Sequence, residues 1–259
     1  MNYTYIQTSI TERISYITLN RPEKRNAFNE LFVEELKHAF NTAEADDYTK
    51  VIILNANGKV FSAGADLAYL QNLQSNSYEE NLQDSKNLKD LYQQIYTLKK
   101  IVIAQVEGHA IAGGCGLATV CDFTFSTPDL KFGYTEVKIG FVPAIVMVFL
   151  IKKIGELKAK ELLLTGKLIN PEEAKEMNLI NAIYSKESIK NEVKAFAKKL
   201  CEETSTQSLA STKKMIADIQ KMDYPKAFEY AAEMNAKARA TSDCKKGISA
   251  FLNKEKLDW

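Results

Sequence analysis

Residues 101–122 read IVIAQVEGHAIAGGCGLATVCD. The continuous apolar run Ile101–Val106 predicts a buried strand. The chain then breaks at Gly113 and Gly114 and restarts with Leu117, Ala118 and Val120 in a helical pattern. A helix that starts straight after such a turn leaves its first backbone N–H groups without partners. Those groups and the helix dipole favour negative charge close to the helix start. The glycines let a ligand reach the main chain with no Cβ in the way, and they equally serve a tight turn and close packing. Alone, the stretch leaves both readings open.

Upstream, Val51–Leu54 has the same continuous apolar character, the mark of a strand covered on both faces. After a turn at residues 56–59, Val60–Leu67 repeats the theme of a strand, small residues with a glycine, and a helix start at Asp66. The two passages point to two backbone donors meeting at one place, Gly113 answered by Ala65. Residues 71–90 are rich in Asn, Gln, Ser and charge, and are expected as a mobile loop leading into a helix near 86–99. Further upstream, residues 13–19 mix β-branched and aromatic side chains and predict a strand. A polar, proline-containing loop over 20–26 follows. Asn29 is then an N-cap for a helix carrying Phe32, Leu36, Ala39, Phe40 and Ala43 at helical spacing.

Downstream, Phe123–Phe125 reads as a short strand. Glu136 stands between Tyr134, Val137 and Ile139, where a carboxylate is either paired in the core or held ready for proton transfer with a raised pKa. From residue 144 onward the pattern is almost wholly helical. Pro171 sits at the first helical position after Asn170, and amphipathic segments follow near 187–202, 207–220, 225–240 and 242–253. No compositional linker separates this tail from the mixed part, so it is expected to pack on an α/β core.

The chain has 259 residues, 46% apolar and 26% charged, the profile of a globular protein with ample core. A formal net charge of +1 gives no electrostatic case for nucleic acid or an acidic membrane as partner. No apolar run reaches the roughly 18 residues of a membrane span, and the first residues do not resemble a signal peptide. Cys115, Cys121, Cys201 and Cys244 form no CxxC pair, and with His38 and His109 they assemble no zinc set of familiar spacing. A reduced, cytoplasmic setting without a metal is the expectation.

Taken together the motifs resemble the crotonase (enoyl-CoA hydratase/isomerase) superfamily. The carrying stretches are NRPEKRNA at 20–27, FSAGADL at 61–67, AGGCGLA at 112–118 with Cys121-Asp122, and FGYTEVKIG at 132–140. TGKLI at 165–169 with Ala174, and GISAFL at 247–252, extend the likeness to the C-terminus. The resemblance implies a spiral of ββα turns with roughly perpendicular sheets over residues 1–195, carrying the CoA-ester site. It implies a C-terminal helical region at 196–259 that supports a homotrimer, commonly paired into a hexamer. It implies an acyl-CoA thioester as substrate and no metal or redox cofactor. The N–H groups of Ala65 and Gly113 would hold the thioester oxygen, and Glu136 would move protons. Lys24, Arg25 and Ala27 match the segment along the CoA nucleotide and pantetheine; Ala63, Asp66 and Leu67 match the adenine-side wall. Gly114, Gly116 and Tyr134 complete the expected substrate contacts.

The chemistry accounts for such donors. Proton transfer next to a thioester passes through an enolate whose charge gathers on oxygen, and a preorganised N–H there is worth about 3–4 kcal/mol in the transition state. One departure matters. Hydratases of the family usually carry a second glutamate, in the Gly-Gly helix, and here that position is Gly116. A lone glutamate at the later position is the arrangement of Δ3,Δ2-enoyl-CoA isomerases. Three readings follow: a hydratase using Glu136, an isomerase using Glu136, and an acyl-CoA binder in which Glu136 is a core acid. The wider sequence around Glu136, YTEVKIGFVP at 134–143, resembles hydratase relatives more than dedicated isomerases. Glu107, or the acids at 79, 80 and 84, could replace the missing group only if the fold brings them near. Cys115 and Cys121 read as small buried hydrophobes, His38 as a surface or packed residue, and His109 as structural. Tyr134 either points into the acyl pocket or packs.

Overall fold

In the computed structural model, which describes residues 2–259, the chain opens with a hairpin of β1 (Ile6–Thr11) and β2 (Ile14–Leu19). Its two-residue turn puts Glu12 and Arg13 at positive φ, the backbone that matches the twist of a tight hairpin. Helix α1 (Glu30–Ala45) follows, with the Asn29 side chain accepting from Phe32 N at 2.9 Å. The N-cap is where the sequence put it.

Three passages then repeat one plan. Each lays a strand in a first sheet, a shorter strand in a second sheet, and then helical turns. The first passage is β3 (Val51–Ala56), β4 (Val60–Ser62), α2 (Leu67–Leu73) and α3 (Tyr78–Thr97). The second is β5 (Ile101–Val106), β6 (His109–Ile111) and α4 (Gly113–Thr119). The third is β7 (Phe123–Ser126), β8 (Phe132–Gly133) and a 3-10 turn, Glu136–Ile139. Helices α5 (Ala144–Ile154) and α6 (Glu156–Thr165), β9 (Leu168–Ile169), α7 (Pro171–Glu176) and β10 (Ala182–Ile183) close the core. Four helices end the chain: α8 (Ile189–Glu203), α9 (Thr206–Ile219), α10 (Tyr224–Ala240) and α11 (Ser242–Asn253). The first sheet has the order β1-β2-β3-β5-β7-β10 and the second β4-β6-β8-β9. All pairings are parallel except β1 with β2 and β8 with β9. This is the mixed α/β spiral of ββα turns that the motifs imply.

Both faces of the first sheet are covered. Ile52 and Leu54 of β3 point into the main core with Phe32, Leu36 and Phe40 of α1 and Leu91 and Ile95 of α3. Val51 and Ile53 point the other way, onto Ile189, Val193, Ala197 and Cys201 of α8. Alternation on a buried parallel strand explains why these residues read as an unbroken apolar run. The expected boundary at 195/196 falls inside α8, which packs on the sheet from both sides of that point.

One sequence expectation fails and one strand goes unanticipated. Residues 71–90 are not one loop: α2 ends within them and α3 begins at Tyr78, eight residues before the helix expected near 86, on a capping box between Ser77 and Glu80. Strand β1 had no signal, because only Ile6 of its six residues is buried. No helix among the described residues is long and apolar enough to cross a membrane.

Candidate active site

The site grows from two straps laid side by side. Residues 21–28 run along 62–66: Ala63 N donates to Arg25 O at 3.0 Å, Phe28 N to Gly64 O at 2.7 Å, and Asp66 N to Phe28 O at 2.8 Å. Asn26, fully buried and at φ 51°, locks the pair. Its Nδ2 donates to the carbonyls of Asn57 and Val60, and its Oδ1 accepts from Arg21 N. Arg21 reaches Asp66 at 2.9 Å and also donates to Ala27 O. Burial pushes the Asp66 carboxyl up, but the Arg21 hydrogen bond and the Ala68 N–H together hold it below the usual range. Asp66 also caps α2, as expected.

This pairing aims Ala65. Phe28 and Ala65 form a parallel bridge in which Gly64 and Asp66 make the hydrogen bonds, so the Ala65 N–H faces away from the neighbouring strap. Gly64, at φ +81°, packs so closely on the start of α4 that a Cβ there would lie 2.8 Å from Gly113 N. Gly113 opens α4 and its N–H has no helical acceptor. Among the described residues no hydrogen bond uses the N–H of Ala65 or of Gly113. Ala112, just before, is held at φ 51°, ψ −127°, a backbone conformation that costs about 1–3 kcal/mol and gathers at functional sites.

Glu136 arrives through the third passage. Ala112 N donates to Gly133 O at 2.7 Å, which brings the segment after β8 to the start of α4. Glu136 begins the 3-10 turn and is 9% exposed. Its Oε2 is buried with no hydrogen-bond partner, and burial raises its pKa. Its charge adds to the upward push that burial gives the Tyr92 phenol and the Cys115 thiol. The structure therefore brings two unspent backbone donors together with the segment that carries a carboxyl whose Oε2 is buried without a partner. Such a set can stabilise an oxyanion while a proton moves at a neighbouring atom.

The surroundings of Gly116 explain its missing side chain. A Cβ there would lie 2.2 Å from Val146 Cγ1 of α5 and 3.4 Å from the Tyr92 hydroxyl. Gly114 packs likewise, its Cβ direction meeting Ser62 O at 2.2 Å. None of the other acids is drawn to Glu136 by a hydrogen bond: Glu107 accepts from Gln105, Glu80 caps α3, and Asp84 accepts from Tyr69. Gly116→Glu is accordingly expected to destabilise the protein by about 1–3 kcal/mol through overpacking. Val146→Ala in the same chain should recover part of that loss, read as a coupling in a denaturation double-mutant cycle.

The remaining residues divide by exposure. Lys24, Arg25 and Leu67 lie exposed along the straps, Ala27 is buried, and Ala63 is half-buried. Tyr134 is fully buried with its hydroxyl on Thr119 Oγ1 at 2.6 Å. Burial pushes the thiols of Cys115 and Cys121 up to about 12, which leaves them inert. His109 Nδ1 accepts from Lys131 N at 3.0 Å, a structural role. A cavity of ≈ 390 Å³ at the other end of α4, bordered by Thr119, Cys121, Phe149 and Lys153, includes neither Gly113 nor Glu136 in its lining. Sequence reasoning missed Arg21, Asn26, Tyr92 and Val146, since each acts through a contact distant in the chain.

Comparison with known proteins gives a consistent result. Residues 9–259 match the family model described as Enoyl-CoA hydratase/isomerase. A Thermus thermophilus protein named "Putative enoyl-CoA hydratase" is 41% identical over 93% of this chain and 95% of its own. The crotonyl-CoA hydratase of Syntrophomonas wolfei is 31% identical over 100% of this chain and 99% of its own. The crystal structure of an enoyl-CoA hydratase from Mycobacterium smegmatis superposes with a TM-score of 0.91 at 28% identity, covering 99% of both chains.

Proposed function

The chain belongs to the enoyl-CoA hydratase/isomerase family, and on that premise we propose that it adds water across the 2,3 double bond of a 2-enoyl-CoA. The observation that carries the mechanism is the unpartnered, buried Glu136 Oε2 beside a helix start with free N–H groups. The thioester oxygen of the substrate sits between the N–H groups of Ala65 and Gly113. Glu136 takes a proton from a water molecule as its oxygen bonds to C3. The electron pair of the double bond moves toward the carbonyl, giving an enolate whose oxygen those two donors stabilise. The carboxyl then returns the proton to C2. Hydration adds the elements of water with no net change in electrons, so the substrate's own coenzyme A is the only cofactor-like group the reaction needs.

With Gly116 in place of a second acid, one carboxyl serves both proton steps. A raised pKa suits this, because an acid–base catalyst works best with its pKa near the working pH. The exposed Lys24 and Arg25 suit the phosphates of the CoA moiety. Assembly as a homotrimer or homohexamer through the C-terminal helices belongs to the same reading. It is supported by α10, none of whose residues is buried, and by Phe228, Phe251 and Leu252, which are exposed. A cytoplasmic location is part of it as well.

The lone carboxyl also suits a double-bond shift between C2 and C4, and one experiment separates the two. The protein is incubated with crotonyl-CoA and with a 3-enoyl-CoA in heavy-oxygen water. Label at C3 of a 3-hydroxyacyl-CoA is expected. A double-bond shift without label would replace the hydratase by an isomerase, and no product from either ester would leave an acyl-CoA binder.

A further inference from the structure

Tyr92 is a buried titratable group that the hydration mechanism does not use. It lies on α3, is fully buried, and donates its hydroxyl proton to the Gly113 carbonyl at 2.7 Å. The hydroxyl would be 3.2 Å from a Cβ on Gly113 and 3.4 Å from one on Gly116, so it rests directly on the first turn of α4. Phe149 holds the ring edge-on at 6.4 Å and 84°. Burial first, and the Glu136 charge after it, push the phenol pKa upward, which keeps it protonated as a donor.

The Gly113 carbonyl lies within reach of the helix's own hydrogen-bond ladder, so satisfying it does not by itself call for a buried phenol. Of the residues in that turn, only the buried Cys115 carries a side chain beyond a methyl group. Gly113 and Gly114 have the widest backbone freedom of any residues, Ala112 is strained, and position 116 is glycine too. Besides the Ala112 N–H bond to Gly133 O and the buried Cys115 side chain, the Tyr92 hydroxyl tethers this turn, and it alone does so at the Gly113 carbonyl. We propose that Tyr92 is a positioning residue: by holding the Gly113 carbonyl it fixes the first turn of α4 so that the Gly113 N–H stays aimed at the substrate's developing oxyanion. The proposal rests on the enolate chemistry of the proposed hydratase.

The test is Tyr92→Phe, which keeps the ring and removes the tether. Three quantities are compared with wild type: turnover of crotonyl-CoA, resolved into kcat and KM, affinity for butyryl-CoA, and affinity for acetoacetyl-CoA, read from the near-ultraviolet band of its bound enolate. Butyryl-CoA presents a neutral carbonyl, whereas acetoacetyl-CoA can present an enolate oxygen to the same donors. The expected result is a fall in kcat of about 10–100-fold and a similar weakening of enolate binding, with KM and butyryl-CoA affinity unchanged. A merely structural tyrosine would lower the melting temperature and leave the ratio of enolate to butyryl-CoA affinity where it was; that result, or an equal loss in all three quantities, overturns the proposal. The hydratase reading fails separately, by wild-type protein hydrating no enoyl-CoA, and the affinity ratio still decides on Tyr92. Wild-type protein that binds butyryl-CoA but no acetoacetyl-CoA enolate would overturn the role given to Tyr92, while the hydratase reading is decided by turnover.

Discussion

Glu136→Gln is expected to lower kcat for hydration of crotonyl-CoA by about 10²–10⁴-fold while acyl-CoA binding survives, and to stabilise the protein at neutral pH. Both effects have one cause. The Glu136 Oε2 is buried without a partner, so the ionised carboxyl pays a desolvation cost in the folded state that it escapes when unfolded. Burial raises its folded pKa above the ordinary value of 4.5. For an acid shifted in this direction, the folded state holds its proton longer than the unfolded state. The wild type is therefore best off below about pH 4.5, and loses stability as pH rises from there through the folded pKa. Glutamine keeps the shape and has no charge to bury. The variant should match the wild type near pH 4 and exceed it at pH 8, measured by chemical denaturation at both values. Retained turnover would remove Glu136 from the mechanism. A variant less stable at pH 8 would show that the carboxylate has a partner in solution.

The elements that carry the candidate site could be read from the chain because their signals are local. A glycine pair between a buried strand and a helical pattern marks α4 wherever the rest of the protein lies. Caps such as Asn29 and Asn170 announce helix starts within four residues, and Asn170 does so with a full capping box. What escaped was either exposed or long-range. The first turns of α3 face solvent, its buried residues being Leu91, Tyr92 and Ile95 near the far end, so composition there imitates a loop. Nothing in the sequence separates Tyr92 from an ordinary core aromatic, because its function lies in a hydrogen bond to a carbonyl twenty-one residues on. Val146 filling the space over Gly116 is a contact between two helices that no spacing rule foretells. The same holds for Lys213, which reads as one more surface cation of an amphipathic helix. It is 6% exposed and donates to Asp122 at 2.6 Å and to the carbonyls of Ile95 and Lys100, tying α9 to the core.

Gly64→Ala tests the other half of the site, the placement of the two backbone donors. At φ +81° an alanine is strained by about 1–2 kcal/mol. Its Cβ would also lie 2.8 Å from Gly113 N, 2.9 Å from Ala112 Cβ and 3.1 Å from Ile111 O. Contacts that close force one side to move. The strap carrying Gly64 is held by Phe28 N on its carbonyl and by Ser62 Oγ on its N–H. Whichever side moves, the start of α4 or the strap that carries Ala65, the spacing of the two N–H groups changes. The pair then no longer fits one oxygen, and losing one oxyanion donor costs about 10²–10³ in kcat. Overpacking adds about 1–3 kcal/mol to the loss of stability. Gly155→Ala supplies the comparison: it stands at φ +78° between α5 and α6 with nothing within 4 Å of its Cβ direction, so it bears backbone strain alone. Both variants should lose stability in urea denaturation, Gly64→Ala more, but only Gly64→Ala should lose turnover, with KM for crotonyl-CoA changed far less than kcat. If the two variants lost stability and both kept wild-type kcat, the close packing of Gly64 on Gly113 would be a matter of folding alone, and the Gly113 N–H would not be one of the two donors.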